Sequence, residues 1–100
     1  MKYLIEWKTR GGGSAQENLA SAKRSLEVLG KWTPSVTVHQ LLSRVDAAGG
    51  FAVVECDDPA DVARDCAIFS PFNELSVYPV LDIAQGSAVA RAAIEFNDGI

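Results

Sequence analysis

AAGGFAVVECDDPAD, residues 47–61, carries the end of a turn, a strand and the start of a helix in one run. In the strand, read as Phe51 to Asp57, Phe51 and Val53 point one way and Ala52, Val54 and Cys56 the other. An apolar residue therefore stands on both faces, where a half-solvated sheet would alternate with polar ones. Asp58-Pro59-Ala60-Asp61 is a helix start. Asp58 caps, Pro59 suits the first helical position, and Asp61 complements the positive end of the helix dipole. Before the strand, Ala47-Ala48-Gly49-Gly50 is short and glycine-rich, so a hairpin should join it to an extended stretch from Val36 to Asp46.

Working outward, residues 2–9 read as a strand in which Tyr3, Ile5 and Trp7 alternate with Lys2, Glu6 and Lys8. Gly11-Gly12-Gly13 breaks it. Ser14 with Glu17 is a capping box, and Ala15, Leu19, Ala22, Leu26 and Leu29 form one helical stripe that Gly30 is placed to end. Downstream, Val62, Cys66 and Phe69 share a helix face until Pro71. Glu74 to Leu81 is a strand, and Pro79 assigns it to a sheet edge or a bulge. Ser87 is read as the cap of a short terminal helix in which Val89, Ala93 and Phe96 offer docking side chains.

The order βαββαβ plus a short C-terminal helix, with right-handed crossovers, predicts a ferredoxin-like α+β domain over residues 1–100 with a four-stranded antiparallel sheet. Both long helices then cover one face. The other face is apolar too: Leu41 and Val45 are read as opposing Val38 and Leu42, and Leu75 and Val77 as opposing Tyr78 and Val80. A second copy of the chain is the economical cover, so the expected partner is the chain itself, as a homodimer.

Composition narrows the function. Thirteen acidic against nine basic residues give a net charge of −4, which disfavours nucleic acid. No apolar run approaches a membrane span, and MKYLIEWKTR is too interrupted for a signal peptide, so a cytoplasmic protein with Cys56 and Cys66 reduced is expected. Arg10-Gly11-Gly12-Gly13-Ser14 lacks the spacing and lysine of a phosphate loop and reads as a connector. His39, the single histidine, has no ligand-spaced companions, so no metal site and no cofactor is expected.

Glu55 sits among Val53, Val54 and Cys56, where burial would raise its pKa, or it pairs with Arg44 across the hairpin. Tyr3, Trp7, Trp32 and Tyr78 could line an apolar pocket, although aromatics at strand spacing more often serve core or interface. The candidate ligand-binding residues are His39, Glu55, Trp7, Tyr3 and Arg44, and no complete catalytic set appears.

Tyr3-Leu4-Ile5-Glu6-Trp7, Gly50-Phe51-Ala52-Val53-Val54-Glu55, Asp57-Asp58-Pro59 and Tyr78-Pro79-Val80-Leu81-Asp82 resemble a bacterial family of about this length, a domain of unknown function in the dimeric α/β-barrel group. The resemblance implies a homodimer whose sheets face each other around a central space. Its wider relatives include cofactor-free monooxygenases, isomerases, haem-binding enzymes and binding proteins, so the fold does not choose a function. Family members often carry a tryptophan followed by histidine near the end of the second strand. Here that stretch is Ser43-Arg44-Val45-Asp46, and a site built on such a pair is missing. The leading expectation is a binding or accessory dimer holding a small apolar molecule between the sheets. The alternatives are an oxygenase or isomerase using Glu55 or His39 for proton transfer, and a purely structural dimerisation module.

Overall fold

A computed structural model describes residues 1–100 as β1 (Lys2–Thr9), α1 (Ala15–Lys31), β2 (Thr37–Ser43), β3 (Gly49–Glu55), α2 (Pro59–Phe69), β4 (Asn73–Val80) and α3 (Ile83–Asp98). The strands form one antiparallel sheet in the order β2-β3-β1-β4, the ferredoxin-like arrangement. β4 lies at an edge, where Pro79, paired with Tyr3, sits without breaking an interior ladder.

Register assigns the faces. Tyr3 opposes Val54 and Pro79, Ile5 opposes Ala52 and Val77, and Trp7 opposes Gly50 and Leu75. Ile5, Ala52 and Val54 on this face join Val62 of α2 in the buried core. The reverse face carries Leu4, Phe51, Val53, Tyr78 and Val80, with no helix of the chain packed over it. Both faces are thus apolar. One assignment shifts: a bulge at His39, between Val38 and Gln40, puts Val38 and Leu41 on the same helix-covered face, and Leu42 opposite. Strict alternation across a bulge fails because one residue has no partner.

The hairpin also differs from its expected form. Gly49 and Gly50 belong to β3, and the turn is Arg44–Ala48, where Ala47 takes a positive φ of 61°. Arg44 and Asp46 pair across this turn, and the Ala48 N–H donates to Asp46 Oδ1 at 3.1 Å. Both contacts hold the Asp46 carboxyl below its ordinary range, the backbone N–H most of all. The glycines serve close approach instead. A Cβ on Gly50 would strike the Leu42 carbonyl and the Trp7 ring, and one on Gly49 the Trp7 carbonyl.

The caps form as the residue types dictate. The Glu17 N–H donates to Ser14 Oγ at 3.1 Å, and the Ala60 N–H to Asp58 Oδ1 at 2.9 Å. α1 runs one residue past Gly30. α3 begins at Ile83 with Asp82 as N-cap, four residues before Ser87, and spans 16 residues. Leu81 and Asp82 alone link it to β4, and Lys2 Nζ holds Asp82 at 2.8 Å.

Cover is thin. Only eight residues are buried, and neither α1 nor α3 contributes one. The α1 stripe expected to face the core stays open: Leu19, Leu26 and Leu29 are 57%, 68% and 43% exposed. Ser21, Ser25 and Val28 are the half-buried positions of α1, while Leu26 and Leu29 face Ile5, Ala52 and Val54 of the sheet across an open space. Val89 and Phe96 of α3, expected to dock, are 61% and 74% exposed.

Gly50→Ala should lower stability by about 1–3 kcal/mol, because Trp7 and the Leu42 carbonyl must give way. Gly30→Ala, inside α1 with open space around it, should raise stability by about 0.5–1 kcal/mol. Urea titration of both variants checks the opposite signs; equal shifts would remove the close-packing argument.

Candidate functional site

Two places carry chemistry, one on each side of the sheet. On the helix-covered side a cavity of about 350 Å³ lies between α1, α2 and the sheet. Its floor is Ile5, Trp7, Ala52, Val54 and Leu75, and its walls include Leu26, Trp32, Val62, Cys66 and Phe69. The strand residues reach it because their pleat alternates. Val62, Cys66 and Phe69 reach it because their spacing of four and three residues keeps them on one side of α2. Leu26 and Leu29 of α1 and Leu41 of edge strand β2 also line it while 68%, 43% and 48% exposed, so the cavity opens between α1 and β2.

Polar groups mark its ends. Asp65 is buried, its Oδ2 accepting the Ser35 N–H at 2.9 Å and its Oδ1 accepting from Arg64 Nη1 at 3.1 Å. Arg64 also donates to Ser35 Oγ, so the α1–β2 connector is fastened to α2. Buried Asn73 donates to the Phe69 carbonyl at 3.3 Å. Trp32 stands edge-on to Phe69, ring centroids 5.1 Å apart, and its buried Nε1–H has no acceptor. Such an unpaired donor costs about 1–3 kcal/mol. Burial first, and the charge of Asp65 second, push the Cys66 thiol up, so it stays protonated and a poor nucleophile at neutral pH. Cys56 and Cys66 are both free.

On the uncovered face, His39 Nε2 and Glu55 Oε1 are 2.7 Å apart, each side chain nearly half exposed. His39 follows Val38 in the alternation of β2 and so falls on the face of Glu55, which ends β3 opposite Lys2 and Thr37. The hydrogen bond from His39 is the main cause that holds the Glu55 carboxyl below its usual range. Desolvation opposes it, while the charges of His39, Lys2 and the amino terminus assist. The direction is opposite to the rise expected from burial among valines, because Glu55 is at the strand end and open to water. Arg44 pairs with Asp46, not with Glu55.

The five sequence candidates therefore separate. Trp7 lines the cavity, and Tyr3 packs beside the core on the same face without reaching the cavity wall. His39 and Glu55 meet on the reverse face, and Arg44 is in the hairpin. Leu26, Leu29, Leu41, Phe69 and Asp65 were not singled out for a site. The periodic stripe of α1 was the available signal for the leucines, while nothing in the spacing marks Asp65 as buried.

The family's sequence profile, a domain of unknown function (DUF3303), matches residues 1–94. The chain belongs to the DUF3303 family. No curated protein matches it. Family membership agrees with the resemblance carried by the strand motifs and leaves the chemistry to be argued from the site. No helix of this DUF3303 chain is long and apolar enough to cross a membrane.

A depressed carboxyl pKa favours the folded state above the unfolded value, and the benefit disappears as pH falls through the folded value. Glu55→Gln should therefore melt below the parent protein at pH ~6, with the gap closing as pH drops from about 5 to about 2.5. Thermal melts across that range check it. A gap that persists undiminished in acid would show that the Glu55 carboxylate is not its source.

Proposed function

We propose that this DUF3303 protein is a small-molecule-binding homodimer whose ligand occupies the cavity between α1, α2 and the sheet. The supporting observation is the cavity: about 350 Å³, with fourteen of its nineteen lining residues hydrophobic, within the size range of small-molecule sites. Such a lining selects an apolar molecule, about the size of one or two fused rings. The site lies on the helix side of the sheet, so it differs from the inter-sheet space that the resemblance implies. The uncovered face with Leu4, Phe51, Val53 and Tyr78 suits a second copy, because an apolar sheet surface facing water is unfavourable.

A second reading rests on the His39–Glu55 pair. An imidazole oriented by a carboxylate at 2.7 Å is an arrangement used in general-base catalysis, and it would make the uncovered face a proton-transfer site of an oxygenase or isomerase. The two readings use opposite faces, so they separate experimentally.

Naphthalene-sized probes should raise the Tm and change tryptophan fluorescence, because Trp7 and Trp32 both line the cavity. Ala52→Leu, which fills the floor, should reduce the probe-induced shift at least severalfold, while His39→Ala leaves it intact. Shifts that survive Ala52→Leu and vanish with His39→Ala would transfer the site to the other face. No shift with any probe would end the cavity reading.

A further inference from the structure

We propose that α3 of each protomer packs on the α1 leucine stripe of a second copy of the chain, reciprocally, and closes the mouth of its partner's cavity. The closing role rests on the cavity being the ligand site; the docking itself does not.

The radius of gyration is 17.7 Å, against about 13 Å for a compact domain of this length. It exceeds even the roughly 16 Å of a compact globule twice as long. The long axis is 62 Å, whereas strands of eight residues supply only about 26 Å. α3, of some 24 Å by helical rise, is joined to the end of β4 by two residues and supplies the extension. The short link and the Lys2–Asp82 contact set where it starts, and none of its residues is buried.

Area gives the size of what is missing. The chain exposes 7159 Å², whereas a monomer of 10.7 kDa exposes about 5,500 Å². The excess, about 1,600 Å² per chain, matches one side of an obligate homodimer interface, which buries about 2,000–5,000 Å² in total. A second copy accounts for an excess of this size and brings an identical unpaired helix with it.

The two helical surfaces also suit each other. On α3, Val89, Ala93 and Phe96 follow at four and three residues; on α1, Leu19, Ala22, Leu26 and Leu29 do the same. Ridges at this spacing interdigitate between helices. Charge agrees in sign: residues 23–31 of α1 hold Lys23, Arg24 and Lys31 against Glu27, whereas residues 89–98 of α3 hold Glu95 and Asp98 against Arg91. A helix laid along Leu26 and Leu29 would also cover the gap between α1 and β2 through which the cavity opens. A two-fold axis makes the exchange reciprocal, so each protomer covers two stripes and no open chain of copies results.

The test is cross-linking between differently marked full-length chains in a Cys56→Ala, Cys66→Ala background. One chain carries Leu26→Cys, the other Phe96→Cys. A disulfide-linked pair should form from the mixture and not from Phe96→Cys chains alone. Cross-linking of Phe96→Cys chains only with one another would overturn the assignment, because α3 would then pair with itself. In parallel, with native cysteines, Phe96→Glu and Leu26→Glu should each weaken the dimer at least tenfold by sedimentation and accelerate probe release. An unchanged dimer in both variants would overturn the docking while leaving probe binding in the parent chain as support for the cavity. Conversely, cross-linking and weakened dimers without probe binding in the parent chain would uphold the docking and remove the ligand reading.

Discussion

Shortage of cover is the constraint on which the rest of the structure depends. A four-stranded sheet has two faces, and a chain of 100 residues has only α1 and α2 to lay against one of them. Hydrophobic stabilisation scales with apolar area withdrawn from water, and small domains withdraw a small fraction of theirs. Here the fully buried core reduces to Ile5, Ala52, Val54 and Val62. β1 and β3, the two central strands, supply three of the four, so the fold is centred on their pairing and weakens toward both edges.

Tight packing and looseness stand side by side as a result. Trp7 lies against Gly50 so closely that no Cβ fits, which locks the centre of the sheet. Elsewhere α1 stands off from the sheet: Leu26 and Leu29 line the cavity together with Ile5, Ala52 and Val54 and yet stay exposed. The same gap makes an apolar helix surface and an apolar hollow at once. Whatever covers the leucines also alters access to the hollow.

The two candidate sites have different physical characters. The cavity combines apolar walls with a few fixed polar groups, Asp65 and Asn73 among them, both satisfied by backbone partners. The His39–Glu55 pair is nearly half exposed and lies at the bulge of β2, where His39 has no strand partner.

Local chemistry was legible from residue type alone. Ser14 and Asp58 had to cap, Pro79 had to lie at an edge, and the order of periodic segments admitted the ferredoxin-like sheet, because these depend on interactions within a few residues or on general handedness. The apolar character of both sheet faces was legible for the same reason, since the pleat alternates wherever no bulge intervenes. Tertiary structure alone decided the rest. It chose His39 over Arg44 as the partner of Glu55, since the register sets Glu55 beside Thr37 at one end of β2 and Arg44 beyond the other end. It drew Gly49 and Gly50 into β3, where a distant tryptophan needs their missing side chains. It also left the α1 stripe short of the core: periodicity fixes which residues share a face, while how closely that face packs depends on what else is present to fill the space.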